Sequence, residues 1–144
     1  MGQTVLIVDD HPPTVELIRD ALVPQGYGVV SAGNGAECLV AVERELPDLV
    51  ILDVQMPVLN GFDTLRLLRH RLEDEDLPVI VLSGRGHFSD VRRAWQRGAD
   101  IYLTKPVRIG AVVAAVKWLL RGGAEIRTGE GMGQVLGSVV RSDI

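Results

Sequence analysis

The stretch LVILDVQMP, residues 49–57, decides how the rest of this 144-residue chain can be arranged. Its first four residues are apolar, without the alternation expected of a strand that has one face in water. Such continuous runs are typical of strands covered by helices on both faces, as in a parallel sheet. The run ends at Asp53, and Met56 and Pro57 indicate a turn beyond it. We therefore predict a buried strand with a carboxylate at its carboxyl end.

Comparable apolar runs lie on either side of this stretch, separated by segments of helical periodicity. They are Val5 to Val8, Val79 to Leu82, Ile101 to Leu103 and a weaker run from Tyr27 to Ser31. Helix signals fall between them, including a variant capping box formed by Asn34 and Glu37. The pattern predicts a strand followed by a helix, repeated five times, which is an α/β fold with a parallel sheet.

Length and composition indicate one domain. Apolar residues make up 47% of the chain and charged residues 24%, close to the average for globular domains. The formal net charge of -4 has the wrong sign for binding nucleic acid through bulk charge, so we expect no direct nucleic-acid binding. The single cysteine, Cys38, excludes an internal disulfide and fits a reducing compartment. Because no apolar run is long enough for a membrane span and no secretory signal begins the chain, we expect a cytoplasmic protein that does not enter the membrane.

Polar side chains follow the predicted strands at the points where the strands end. Asp9 and Asp10 follow the first strand, Asp53 ends the third, Ser83 follows the fourth and Lys105 follows the fifth. The carboxyl ends of parallel strands share one edge of the sheet, where ligands bind in open α/β folds. We therefore expect three carboxylates, a hydroxyl and an ammonium group to converge there.

The expected cluster of carboxylates needs a compensating cation, because each pair would repel by about 1 to 4 kcal/mol, depending on local screening. Mg²⁺ suits a site with few carboxylates, several waters and a phosphate oxygen. Asp53 could then act as a nucleophile toward phosphorus, with Ser83 and Lys105 binding phosphoryl oxygens. The structural alternative is that Asp9 and Asp10 simply favour the positive end of the first helix.

Together these segments resemble the receiver domain of two-component response regulators, of the chemotaxis-regulator type. The resemblance covers about residues 3–121. It is carried by the acidic pair Asp9-Asp10, the segment LDVQMP with Asp53, Gly61 after the following turn, Ser83, and the segment YLTKP with Lys105. It implies a flavodoxin-like, doubly wound fold with a five-stranded parallel sheet of order 2-1-3-4-5 and five helices.

The resemblance also implies a phosphoryl acceptor and a set of magnesium ligands. Asp53 would accept a phosphoryl group from a sensor histidine kinase or a phosphotransfer protein, assisted by Lys105. Asp10, Asp53 and the backbone carbonyl of Gln55 would ligate Mg²⁺, and Asp9 would hold a metal-bound water.

The function implied by the resemblance is that of a phosphorylation-operated switch which catalyses its own phosphoryl transfer and slow hydrolysis. Ser83 and Tyr102 would be the switch residues, the hydroxyl moving toward the phosphoryl group while the aromatic ring turns inward. Whether such a switch counts as an enzyme is left open. The alternative is a pseudo-receiver, an interaction module that binds a partner regardless of phosphate, and the complete set of site residues favours the switch.

The C-terminal end departs from this pattern, which divides the chain into a receiver domain at 1–122 and a glycine-rich tail at 123–144. Only Val135 to Val140 has strand character in the tail. We expect the tail to be dispensable for folding and phosphorylation, although it could dock on the domain or on a partner through this segment. The roughly 22 residues leave no room for the usual DNA-binding output domain. Signalling would then proceed by contact with a downstream protein, unless the chain is a fragment of a longer regulator.

The last predicted helix, roughly Arg108 to Arg121, is apolar over more than the stripe that a sheet-covering helix needs. We expect the excess to be exposed in a monomer and covered by a second copy, a partner or the tail folded back. A homodimer through the fourth helix, fifth strand and fifth helix is the favoured arrangement.

Overall fold

The computed structural model describes residues 2–54, 60–72, 77–84, 92, 94, 96, 98–121 and 139–141. Its strands are β1 (Thr4–Val8), β2 (Gly28–Ala32), β3 (Leu49–Asp53), β4 (Val79–Ser83), β5 (Ile101–Thr104) and β6 (Val139–Arg141). Its helices are α1 (Pro12–Leu22), α2 (Gly35–Arg44), α3 (Gly61–Leu72) and α4 (Ile109–Leu120), with a 3-10 turn at Val23–Gln25. The fourth of the five expected helices, between the apolar runs at 79–82 and 101–103, falls largely outside the described residues. Within the described ranges, no helix has the length and apolar character needed to cross a membrane.

The strands form one sheet in the order β2-β1-β3-β4-β5-β6. The first five are parallel, which confirms the predicted order 2-1-3-4-5 and the flavodoxin-like fold. The sixth strand, β6, comes from the glycine-rich tail and runs antiparallel to β5. The sequence indicated strand character in this part of the tail but did not predict that it joins the sheet.

The sheet is covered by helices on both faces, as its continuous apolar runs predict. Leu6 and Val8 of β1 lie in a core layer with residues of α2 and α3, whereas Val5 and Ile7 lie in a second layer with residues of α1 and α4. β3 and β4 are buried at every position. Asp53 and Ser83 therefore end strands that are buried along their whole length.

The capping box predicted for α2 is confirmed. The Asn34 side chain accepts a hydrogen bond from the Glu37 backbone N–H at 2.9 Å and donates one to the Glu37 carboxylate at 2.9 Å. The Glu37 backbone N–H, which has no partner within the helix, is thereby satisfied, and the cap fixes where α2 begins.

Helix α4 is less exposed than its composition predicts. Its apolar residues are either buried or partly buried against one core layer: Val112, Val116 and Leu119 in the first group, and Ile109, Val113 and Leu120 in the second. The helix packs against α1 as well as against the sheet, so it has two neighbours rather than one. The apolar excess is therefore only partly exposed, and the support that it gives to a homodimer is weaker than the sequence suggests.

Arg69, in the last turns of α3, joins this helix to the amino ends of β4 and β5. Its guanidinium donates to the backbone carbonyls of Leu77 at 2.6 Å and Gly98 at 2.7 Å, and it pairs with the Asp100 carboxylate at 3.1 Å. Asp100 also accepts from the Val79 backbone N–H at 2.9 Å. This network fixes α3 against the sheet at the end opposite the predicted site.

Cys38 provides a pH-dependent test of the packing beneath α2. The residue is fully buried, and burial raises the pKa of its thiol from 9.0 to about 12. We expect a thiol reagent to label the folded protein at about pH 8 far more slowly than the urea-unfolded protein, because reaction requires an accessible thiolate. The same shift makes a contribution to the free energy of unfolding that is complete below pH 9 and is lost as the pH rises toward about 12. Equal labelling rates for folded and unfolded protein would contradict this packing.

Candidate functional site

The ends of β1 and β3 bring the three predicted carboxylates together. Asp9 and Asp10 directly follow β1, and Asp53 is the last residue of β3. The two strands are neighbours in register, with Val8 opposite Leu52. As a result, one carboxylate oxygen from each of the three aspartates lies within 4.8 Å of the others. Asp9 and Asp53 are buried, whereas Asp10 is exposed at the rim.

Lys105 enters this cluster from the end of β5. Its Nζ lies 3.2 Å from Asp53 Oδ2 and 3.6 Å from Asp9 Oδ2. The Lys105 backbone N–H donates to the Ser83 carbonyl at 2.8 Å, which extends the pairing of β5 with β4 up to the site. The peptide bond from Lys105 to Pro106 is cis. One ammonium group thus contacts two of the three carboxylates.

The Asp9 carboxylate is only partly satisfied by the described residues. Oδ1 accepts a hydrogen bond from the His11 backbone N–H at 2.9 Å. Oδ2 is buried without a hydrogen bond in the described part of the chain, since the 3.6 Å approach of Lys105 is an ion-pair contact that is too long for a hydrogen bond. A buried carboxylate oxygen is costly to leave unpaired. This oxygen can therefore accept a further hydrogen bond or ion contact beside the Lys105 ammonium.

The donor set fits a hard divalent cation. Three carboxylates and one ammonium leave two formal negative charges uncompensated within a few ångströms. Mg²⁺ prefers oxygen ligands, is commonly bound through one or two carboxylates, and retains several waters. Asp10 is exposed, so a cation held here could keep a water shell on its outer side.

A close backbone approach places α3 directly after the Asp53 strand end. A Cβ atom at Gly61 would lie 2.6 Å from the Asp53 carbonyl oxygen and 2.8 Å from Val54 Cγ1, distances that side chains do not tolerate. The helix is further fixed by Asn60, whose side chain accepts from the Asp63 backbone N–H at 3.0 Å and donates to the Asp63 carboxylate at 2.9 Å. Sequence reasoning noted Gly61 but missed this cap, although an asparagine followed three residues later by an acidic residue is its usual signal.

The model of the response regulator receiver domain family matches residues 5–117. This chain belongs to that family. It is similar to the receiver domain of the Francisella response regulator 1452, with 28% identity and a TM-score of 0.79 over 85% of this chain and 99% of that structure. The chain is therefore a receiver domain of two-component response regulators, as its sequence motifs predict.

Curated relatives are longer than this chain. The probable transcriptional regulatory protein TcrX of Mycobacterium tuberculosis is 36% identical over 95% of the chain and 58% of its own length. The DNA-binding response regulator MtrA of Mycolicibacterium smegmatis is 36% identical over 84% of the chain and 52% of its own length. The chain thus spans about half the length of these relatives, and the match to TcrX continues beyond residue 122 into the C-terminal segment.

These relatives overturn the expectation of no direct nucleic-acid binding. MtrA is named as DNA-binding and TcrX as a transcriptional regulator. The net charge of -4 belongs to a chain that spans about half of such a protein, so it carries no information about the remaining half. The prediction from bulk charge was therefore wrong.

The two predicted switch residues, Ser83 and Tyr102, are both buried but lie on different strands. Ser83 ends β4, opposite Thr104 in register, with only 1% of its surface exposed. Tyr102 lies within β5 opposite Val81 and is fully buried in the core layer shared with α2 and α3, away from the acidic cluster. Gln55 lies outside the described residues.

Sequence reasoning also missed a cleft of about 330 Å³ beside the acidic cluster. Asp9 and Asp10 line one part of it, and Arg19 and Ser31 line another. The Arg19 guanidinium lies 3.5 Å from the Ser31 hydroxyl. No motif could have indicated this cleft, because α1 and β2 form it only in the folded chain.

Gly61 supplies a test of how the receiver site is positioned. We expect Gly61→Ala to lower the free energy of unfolding by about 1 to 3 kcal/mol, since the added methyl group must displace α3 or the Asp53 strand end. Gly110→Ala is the matched control, because a Cβ there meets no atom within 4 Å and lies in the first turn of α4. Urea unfolding should show Gly110→Ala to be neutral or slightly stabilising. Equal effects of the two substitutions would contradict the close approach.

Proposed function

We propose that this receiver domain accepts a phosphoryl group on Asp53, in a reaction that requires Mg²⁺ and uses the phosphohistidine of a sensor histidine kinase or phosphotransfer protein as donor. The observation that carries the proposal is the position of Asp53. Its carboxylate is buried at a strand end, 3.2 Å from the Lys105 ammonium and within 4.8 Å of two further carboxylates.

The proposed reaction is a displacement at phosphorus. A carboxylate oxygen of Asp53 forms a bond to phosphorus, while the bond from phosphorus to the donor nitrogen breaks and the nitrogen keeps the electron pair. The product is an acyl phosphate, and attack of water on it returns the carboxylate and releases phosphate. The protein is primarily a switch, although it would catalyse both steps on itself.

Charge compensation is the main task of the surrounding residues. Lys105, already in contact with Asp53, would turn its ammonium toward the oxygens of the transferred group. Asp10, Asp53 and the Gln55 carbonyl would hold Mg²⁺, with Asp9 binding one of its waters. The bound ion would supply the positive charge that phosphoryl transfer requires, because positioning and electrostatic stabilisation dominate this chemistry.

The proposed conformational response uses Ser83 and Tyr102. Ser83 ends the strand next to Asp53, so its hydroxyl could move toward a phosphoryl oxygen. Tyr102 lies on β5, three residues before Lys105, and is fully buried. A pseudo-receiver is not favoured, because none of the acidic, hydroxyl and lysine positions has been replaced.

The output and the cellular location of this switch can also be proposed. Because TcrX and MtrA are named as transcriptional and DNA-binding regulators, we propose that the output is control of transcription. We also propose a cytoplasmic location, which fits the buried free thiol of Cys38.

Replacement of the acceptor tests the proposal directly. With acetyl phosphate and Mg²⁺, we expect intact-mass spectrometry to show one added phosphoryl group on the wild type and none on Asp53→Asn, because the amide is not a competent nucleophile. Asp20→Asn is the control, since Asp20 is an exposed aspartate of α1 outside the cluster. Labelling of Asp53→Asn at the wild-type level would refute Asp53 as the acceptor.

The metal requirement is a separate prediction. EDTA should abolish labelling, and Asp10→Asn should raise the Mg²⁺ concentration for half-maximal labelling by at least about tenfold, as expected when a site loses a charged ligand. Glu16→Gln is the matched control, because Glu16 is an exposed acidic residue in the adjoining cleft but not in the cluster. Undiminished labelling in EDTA, or equal shifts for Asp10→Asn and Glu16→Gln, would contradict a magnesium site at Asp10.

A further inference from the structure

The outer edge of β5 is where the parallel part of the sheet ends. In the order β2-β1-β3-β4-β5, one side of β5 pairs with β4 and the other side would present unpaired backbone N–H and C=O groups. Such an edge is a template for any extended segment that can add a further strand. In this chain the edge is occupied by β6, in the antiparallel register Leu103 with Val139, Tyr102 with Val140 and Ile101 with Arg141.

The composition of β6 suits this position. Val139 and Val140 are β-branched residues of high strand propensity, and Arg141 follows them. The strand has only three residues, which is below the usual length of about five to six. A segment this short forms few backbone hydrogen bonds and would pair weakly if it came from another molecule.

Covalent attachment compensates for the short length of β6. The described part of the domain ends at Arg121 and β6 begins at Val139, so residues 122–138 connect them. A tether of this length gives a segment an effective concentration of about millimolar at the edge that it reaches. A weak strand held in this way stays bound most of the time and can still be displaced.

We propose that residues 139–141 act in cis as a displaceable cover of the β5 edge, so that a partner which adds a strand to this edge must first release them. The occupant is the chain's own C-terminal segment rather than a strand exchanged from a second copy. The cover lies on a functionally sensitive strand, because β5 continues directly into Lys105, which contacts Asp53. The proposal does not depend on phosphorylation of Asp53, and its test needs no phosphodonor.

Proline substitution removes the cover while leaving the chain at full length. In Val139→Pro/Val140→Pro neither residue can donate a backbone hydrogen bond, whichever of the two faces β5. Val139→Thr/Val140→Thr is the matched control, since threonine has the shape of valine, is β-branched and keeps its N–H. The measurement is hydrogen exchange, followed by NMR, at the backbone amides of Ile101, Tyr102 and Leu103.

We expect the β5 amides that face β6 to exchange at least about tenfold faster in the proline variant than in the wild type. The β5 amides that face β4 should keep their wild-type rates in that variant. In the threonine variant, all β5 amides should keep their wild-type rates. A chain ending at Ser138 should behave like the proline variant. Because the cover acts in cis, the protection of wild-type β5 should not change over a hundredfold range of protein concentration. Unchanged β5 exchange in both the proline variant and the shortened chain would refute the cover, and protection that grows with concentration would show strand exchange between copies instead.

A peptide of residues 136–144 tests whether the edge is closed. Added to the proline variant at millimolar concentration, which matches the effective concentration of the tethered segment, it should restore slow exchange of the β5 amides that face outward. Added to the wild type at the same concentration, it should change nothing, because the tethered segment already holds the edge. Equal binding of the peptide to both proteins would overturn the proposal.

Discussion

Electrostatic repulsion at one edge of the sheet is the constraint around which this receiver domain is organised. Asp9, Asp10 and Asp53 are brought within 4.8 Å of one another, and Lys105 supplies one positive charge against their three negative ones. The unfavourable free energy of this repulsion is offset by burial of the apolar strands behind the site, since β3 and β4 are buried at every position. Sites that carry out chemistry commonly hold groups which a purely structural arrangement would keep apart. Here the repulsion among the three carboxylates favours a bound cation.

Rigidity behind the site is as necessary as the charges themselves. Gly61 permits α3 to begin against the Asp53 strand end, and Asn60 caps that helix. At the other end of the same helix, Arg69 fastens α3 to the amino ends of β4 and β5 through two carbonyls and the Asp100 carboxylate. The helix that follows Asp53 in the chain is therefore fixed at both of its ends.

Much of this arrangement could be predicted from the sequence, because it follows from local patterns. Continuous apolar runs predicted the strands, and the polar residue at the end of each run predicted the members of the site.

The rest of the structure depended on contacts between distant segments. The composition of α4 suggested an exposed face, but packing against α1 as well as the sheet covers it. The glycine content of the tail suggested a segment outside the fold, yet pairing with β5 depends on backbone groups that composition does not reveal. The prediction of no direct nucleic-acid binding failed because the net charge was evaluated on a chain that spans about half the length of the relatives.

The most direct test of this account is the effect of Mg²⁺ on the free energy of unfolding of the unphosphorylated wild-type protein. If the three carboxylates form a strained cation site, MgCl₂ at roughly ten times its dissociation constant should stabilise the protein by about 1.4 kcal/mol. NaCl of the same ionic strength should have a smaller effect, because it screens the repulsion without being coordinated by Asp10 and Asp53. The measurement is urea unfolding with EDTA, with NaCl and with MgCl₂. A larger free energy of unfolding in MgCl₂ alone is the predicted result, and equal values in the two salts would contradict the central claim.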